Sequence, residues 1–204
     1  RHEKIRYVRK GLPGLGYARN TNHGVRNSTG KWLVLVNDDV FLNPDAVQRL
    51  RDACGPGVGC VAGLLRYADG SIYHAGKFRK PGQRGWGHVD LRAQVGSIKQ
   101  PVEVENVNGA AVLMPRRAFY DIGAFDEEYF GYASDDDTCM RLRQRGWKII
   151  YTPHSEGIHL EGQSFVKLAG WRGDLIRAGN ETFDRKWGRW YDHNLHRVPG
   201  TFDY

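Results

Sequence analysis

Apolar positions along the chain gather into short dense runs separated by polar breaks. Trp32-Leu33-Val34-Leu35-Val36 is unbroken by polar residues, a pattern that predicts a strand buried on both faces in the middle of a parallel sheet. Val58 to Leu65 reads the same way, and Ala68-Asp69-Gly70-Ser71 predicts a hairpin turn into a strand from Ile72 to Phe78. Val102 to Met114 gives a further strand signal, interrupted at Asn108-Gly109, where a bulge or a close ligand approach fits, and Trp147 to Tyr151 gives another. Ile5 to Val8 is a short candidate strand, followed by a turn at Gly11-Leu12-Pro13-Gly14. Helical stretches fall between the strands: Tyr17 to Asn27, Asp45 to about Ala53, Arg116 to Ile122, and a segment from Ser134 that Gly146 stops. Strands alternating with helices predict an α/β domain whose central sheet is mostly parallel and flanked by helices.

Lys80 to Lys99 shows no period and reads as a long loop, of the kind that often carries function. Gln163 to Arg177 reads as helical, and Trp171, Phe183, Trp187, Trp190 and Tyr191 make an aromatic-rich end. The expected organisation is a core over residues 1–162 with a C-terminal extension, 163–204, packed on it.

A chain of 204 residues, 40% hydrophobic and 26% charged, suits one globular domain rather than a disordered segment. No apolar run approaches the roughly 20 residues that span a bilayer. The stretch Arg1-His2-Glu3-Lys4-Ile5-Arg6 lacks the apolar core of a signal peptide, so a cytoplasmic setting is expected. Cys54, Cys60 and Cys139 form no CxxC pair and suggest neither a disulfide framework nor a structural zinc site. The net charge of +7 favours an anionic partner: a phosphorylated substrate, a membrane surface or nucleic acid. The basic residues carry no nucleic-acid-binding signature, so nucleic acid is not the expected partner.

Three groups of residues carry candidate chemistry. Asn37-Asp38-Asp39 follows the first apolar run, where ligands bind beyond the carboxyl ends of strands. Two carboxylates there suit a hard divalent cation such as Mg²⁺ or Mn²⁺, and equally suit a polar turn capping the next helix. In Ser134-Asp135-Asp136-Asp137, a serine with an acid three residues on resembles a capping box. One of these aspartates is alternatively a general base, kept ionised by the helix terminus. His159 reads either as a loop residue or as a ligand completing a cation site begun by Asp39.

Taken in order, Gly16-Tyr17-Ala18-Arg19-Asn20-Thr21-Asn22, Val36-Asn37-Asp38-Asp39, Asn108-Gly109-Ala110, Asp135-Asp136-Asp137-Thr138-Cys139-Met140-Arg141-Leu142-Arg143 and His159-x-x-Gly162-x-Ser164 resemble glycosyltransferase family 2, with the GT-A fold. The resemblance implies inverting transfer of a sugar from a UDP-, GDP- or dTDP-sugar donor to the hydroxyl of a saccharide or lipid-linked saccharide. It implies Mn²⁺ or Mg²⁺ on Asp39 and His159, Asp38 near the ribose, and Asp135 as the base. Arg19, Asn22, Asn108, Gly109 and Trp86 are expected on the donor. Arg84, Gly85, Trp86 and Gly87 form a loop over donor or acceptor, and Trp86 either stacks on a sugar face or is a buried structural residue.

Two departures from the family pattern stand out. Ser134 replaces the glutamate usual before the base, and the family's first nucleotide-binding strands have no counterpart, which predicts an N-terminally shortened GT-A core. The rival expectation is a degenerate, non-catalytic GT-A domain that holds a saccharide or a partner protein; a third is an anion-binding protein. Charge and terminal aromatics also allow a peripheral membrane contact, and a homodimer is open.

Overall fold

A computed structural model describes residues 8, 16–79, 82, 86–88, 98–160 and 172–194. Backbone pairing is built around β3 (Val58–Arg66) and β9 (Lys148–His159), which run parallel side by side. Strands β1 (Trp32–Val36) and β8 (Ala111–Pro115) extend the sheet beyond β3, and β2 (Val40–Leu42) closes it beyond β9. Strand β4 (Ile72–His74) pairs with β3, and β7 (Val102–Val104) pairs with β9.

Every pairing in this sheet other than β3 with β9 is antiparallel, which corrects the expectation of a mostly parallel sheet. An unbroken apolar run reports burial on both faces and says nothing of direction. The turn between β3 and β4 spans only residues 67–71, too short for the crossover that parallel strands need. Strand β9, by contrast, enters from a helix and can run parallel to β3. The expectation for β1 is corrected too. It pairs only with β8 among the described residues and leaves Trp32 and Val36 exposed, whereas β3 and β8 are the strands buried along their length.

Among the described residues five helices accompany the sheet: α1 (Gly16–Arg26), α2 (Ala46–Asp52), α3 (Arg116–Asp121), α4 (Ser134–Gln144) and α5 (Arg172–Asn194). From Cys60 on, alternate residues of β3 serve opposite faces, and the register shift between Val58 and Cys60 puts Val58 on the face of Val61. Cys60, Ala62 and Leu64 join Ala18, Phe119, Cys139 and Leu142 in the larger core, while Val58 and Val61 meet Leu50 of α2 on the other side. The fold is therefore α/β with helices on both faces, as the sequence predicts.

The C-terminal aromatics are not a tail beyond a helix but part of one. Helix α5 runs for 23 residues, and Phe183, Trp187 and Tyr191 recur every four residues along it, so they form one stripe. Trp187 and Tyr191 pack on Met140 of α4, and the Arg79 guanidinium lies over the rings of Trp190 and Tyr191 at 5.5 and 5.7 Å. No helix among the described residues is long and apolar enough to cross a membrane. Within the expected loop at 80–99, Trp86–His88 forms β6 and pairs antiparallel with β5 (Lys77–Arg79). The expected strand at Ile5, the turn at Gly11 to Gly14, Arg84, Gly85, the Trp86 side chain and Trp171 lie outside the described residues.

The β3–β9 ladder slips register between Gly63 and Leu64, and a Cβ on Gly63 would sit 2.5 Å from the Ser155 carbonyl oxygen. Gly63→Ala is therefore expected to destabilise the fold by about 1–3 kcal/mol and to lower Tm by several degrees. Gly24→Ala, which meets nothing within 4 Å on α1, is expected to hold or raise Tm. Thermal unfolding of the two variants side by side checks both.

Candidate active site

Two ladders built from distant segments bring the first candidate pair together. Strand β2 pairs with the end of β9 so that Val40 lies opposite His159, and the Leu160 amide donates to the Asp39 carbonyl at 2.9 Å. That register sets His159 Nε2 at 3.1 Å from Asp39 Oδ1, across 120 residues of sequence. His159 is thus the last residue of a strand rather than a loop residue. Tyr73 of β4 packs edge-on against its ring with centroids 4.4 Å apart, and the Tyr73 hydroxyl takes a hydrogen bond from Asn108 Nδ2. Both members of the pair are largely withdrawn from solvent, while Asp38 beside them is exposed.

A carboxylate oxygen and an imidazole nitrogen held this close are a donor set that suits a borderline-hard cation such as Mn²⁺. Among the described residues no group of three or more His, Cys, Asp or Glu forms a cage. A cation held by Asp39 and His159 would therefore take its other ligands from substrate oxygens and water, as Mg²⁺-type sites commonly do. The residues fit such an ion.

The second group sits at the start of α4. The residue before the helix, Ala133, has φ of +62°, a left-handed conformation that costs a non-glycine residue about 1 kcal/mol or more. The expected capping box does not form. Ser134 Oγ donates back to the Gly131 carbonyl, and Asp137 turns inward to accept from Arg141 Nε at 2.7 Å and Trp187 Nε1 at 2.9 Å. Asp137 is thus a structural residue that ties α4 to α5. Asp135 instead accepts from the Gly109 amide at 3.1 Å, where the helix dipole favours negative charge. Gly109 has no spare room: a Cβ there would lie 3.2 Å from the Asp135 side chain and 3.3 Å from Tyr17 Oη.

Lys77 of β5 reaches the same point, with its Nζ 3.1 Å from Asp136 Oδ1 and 3.7 Å from Asp135 Oδ2. Burial alone would lower the Lys77 pKa, but the carboxylates of Asp136 and Asp135 outweigh it and keep the ammonium protonated. Burial pushes the Asp136 carboxyl up against the pull of Lys77. Tyr17 donates its hydroxyl to the Gly109 carbonyl at 2.9 Å, and burial holds that hydroxyl protonated far above its ordinary range. Asp38, Asp39, His159, Asn108, Gly109 and Asp135 all line one cleft of about 1330 Å³, together with Tyr73 and Lys77.

The family model described as "Glycosyltransferase like family 2" matches residues 1–190. This chain belongs to that family. It is 32% identical over 147 residues to an N-acetylglucosaminyl-diphospho-decaprenol L-rhamnosyltransferase of Mycobacterium tuberculosis, a match covering 65% of this chain and 48% of the relative. An uncharacterised protein of Sinorhizobium fredii is also 32% identical, over 79% of this chain and 18% of its own length. The chain therefore spans less than half the length of either relative. Among solved structures, GalNAc-T7 with UDP, GalNAc and Mn²⁺ superposes with a TM-score of 0.61 at 17% identity, covering 76% of this chain and 32% of that one. The mannosyltransferase PcManGT of Pyrobaculum calidifontis, bound to GDP-Man and Mn²⁺, gives 0.51 at 17% identity over 71% and 36% of the two chains. The fold is that of GT-A glycosyltransferases.

Two residues expected on the donor of this family 2 chain lie elsewhere. Arg19 is an exposed α1 residue 3.7 Å from Glu127, and Asn22 is buried with its amide spent on Phe125 and Glu127. Both are on the side of α1 turned from the cleft, because residues three and four apart share a helix face and it is Tyr17, Asn20, Thr21 and Gly24 that line it. Tyr17 stands in the same motif but was not among the residues expected at the site; Tyr73 and Lys77 carry no local signal, since only the β4–β5 backbone brings them in. Replacing Tyr17 by Phe removes one part-buried hydrogen bond and is expected to cost about 1 kcal/mol, read from urea unfolding midpoints.

Proposed function

We propose that this chain is the catalytic part of a cation-dependent inverting glycosyltransferase, moving a hexosyl or deoxyhexosyl group from a nucleotide-diphosphate sugar to an acceptor hydroxyl. The observation that carries the reading is the convergence of Asp39, His159 and Asp135 on one cleft from three separate elements. Asp39 and His159 would hold Mn²⁺ or Mg²⁺, which supplies charge neutralisation for a departing diphosphate when bound. Asp38, exposed at the cleft, would meet a ribose hydroxyl, and Asn108 and Gly109 the donor sugar.

Asp135 accepts the proton of the acceptor hydroxyl as its oxygen attacks the anomeric carbon. The anomeric C–O bond breaks as the new one forms, and its electron pair leaves on the diphosphate oxygen. One displacement inverts the anomeric centre. The backbone bond from Gly109 fixes one Asp135 oxygen, which leaves the other to meet the incoming hydroxyl. The Mycobacterium relative, named for a diphospho-decaprenol acceptor, supports a lipid-linked saccharide as the acceptor class here. A peripheral membrane contact would then bring the protein to its acceptor.

Calorimetric titration with UDP, GDP and dTDP, each with and without Mn²⁺, tests the donor site. One nucleoside diphosphate is expected to bind only with the cation, and Asp39→Ala or His159→Ala is expected to abolish that dependence. Asp135→Asn is expected to bind the same nucleotide with unchanged Kd and to lose turnover by about 10²–10⁴-fold. Retained turnover would remove Asp135 as the base.

A further inference from the structure

Asp136 has no part in the reaction just described, yet it sits half-buried beside the proposed base and is bonded to two side chains. Asn106 Nδ2 donates to its Oδ1 at 2.9 Å, and Lys77 Nζ donates to the same oxygen at 3.1 Å. The backbones of the two donors are also locked together. The Lys77 amide donates to the Asn106 carbonyl at 2.8 Å, and the Asn106 amide donates back at 3.2 Å. An ammonium on a flexible four-carbon stem is thereby held at one point, 8% exposed, between two consecutive carboxylates.

The charge balance of this cluster is the informative quantity. Two carboxylates and one ammonium leave a single net negative charge. Two carboxylates sharing a site without a cation cannot both ionise, and one of them retains a proton. The other titratable groups around Asp135 add no charge near neutral pH. Tyr17 of α1 and Cys60 of β3 are pushed up by burial, and Cys139 of α4 is pushed up to about 12. Asp137 faces away, toward Arg141 and Trp187. Arg172 of α5 lines the wider cleft, with Asp39 and His159 at the end assigned to the cation.

We propose that Lys77 is a positioning residue: its ammonium cancels the charge of Asp136 and so reserves Asp135 as the one net anionic group able to take the acceptor proton. This rests on Asp135 being the base. The Asp136–Asn106 contact serves to anchor Lys77 rather than to touch substrate.

The test uses charge compensation, which a purely structural role would not reproduce. Three variants are compared with the wild type: Lys77→Met, Asp136→Asn and the double variant. The first readout needs no substrate. It is the pH titration of the aspartate carboxyl ¹³C resonances, assigned by loss of signal in Asp135→Asn and Asp136→Asn. Lys77→Met is expected to raise the titration of the pair by at least about one pH unit, and the double variant to bring Asp135 back toward its wild-type midpoint. The second readout is turnover, as release of nucleoside diphosphate from the sugar nucleotide whose nucleotide binds in the calorimetric panel. Lys77→Met is expected to lose about tenfold in kcat at one pH unit below the raised midpoint, with Mn²⁺-dependent nucleotide binding intact, and the double variant to regain most of that loss at the same pH.

A double variant no better than Lys77→Met, or a carboxyl titration that Lys77→Met leaves in place, overturns the proposal. If Lys77→Met does not fold, Asp136→Asn decides alone. With Lys77 left to Asp135, the Asp135 midpoint is expected to fall, and a midpoint unchanged from wild type overturns the proposal. Wild-type protein that binds no nucleotide and releases none overturns the glycosyltransferase reading instead, while the carboxyl titration still reports on Lys77.

Discussion

The pairing of β9 with β3 on one side and β2 on the other is the constraint on which the rest of the structure depends. β9 is twelve residues long, and it pairs in parallel with β3 from Lys148 to Thr152 and again from Glu156 to Ile158. Its last three residues form the ladder with β2. A one-residue slip in a strand turns every side chain to the opposite face. The register of Glu156 to Ile158 against β3 and of Gly157 to His159 against β2 therefore fixes where His159 emerges, against Asp39. The slip between Gly63 and Leu64 takes up Pro153 to Ser155 on β9 and sets the new register in which Glu156 to Ile158 lie opposite Leu64 to Arg66.

Buried charge makes the other end of the cleft costly. An ion taken from water costs several kcal/mol unless partners replace its solvation. Here the partners are arranged in pairs: Lys77 with Asp136, and Arg141 with Asp137. Arg141 also donates to the carbonyls of Ile122 and Ala124, so the second pair doubles as a tie between α4 and the segment after α3. Helix α4 can begin with three consecutive acids because each has its own compensation: a backbone amide and the helix dipole for Asp135, Lys77 for Asp136, Arg141 and Trp187 for Asp137. The left-handed Ala133 fits the same logic, since it turns the chain so that the first helical turn faces the cleft.

The sequence carried the architecture further than it carried the pairing. Runs such as Val58 to Leu65 marked buried strands, and the helix limits from Gly16 to Gln144 lie within a residue or two of the periodic pattern. Strand direction was invisible because side-chain burial has no polarity. Ordered motifs named Asp39, Asp135 and His159, which the fold does bring to one cleft. The same motif misplaced Arg19 and Asn22, because membership of a motif does not say which face of α1 a residue occupies. Lys77 and Tyr73 could not be found locally at all. Each acts through a partner at least 35 residues away, and only the folded ladders supply that proximity.

The two ends of the cleft are joined by one short segment, Asn106 to Ala110. Asn106 holds Asp136, Asn108 holds the Tyr73 hydroxyl whose ring buttresses His159, and Gly109 donates to Asp135 while accepting from Tyr17. His74 Nε2 accepts from the Asn108 amide, and Asn108 Oδ1 accepts from the Ala110 amide, so the segment is braced from within as well. Its two sides are fixed by β7 and β8, which belong to the same sheet as β2 and β9. The spacing between a base on α4 and a cation pair on the sheet is thus set through one five-residue segment, by the side-chain amides of Asn106 and Asn108 and the backbone of Gly109. Preorganisation of this kind matters for a displacement that needs attacking and leaving oxygens in line, where a 1 Å error costs orders of magnitude in rate. It also accounts for glycine at 109, since any side chain there would have to displace either Asp135 or Tyr17.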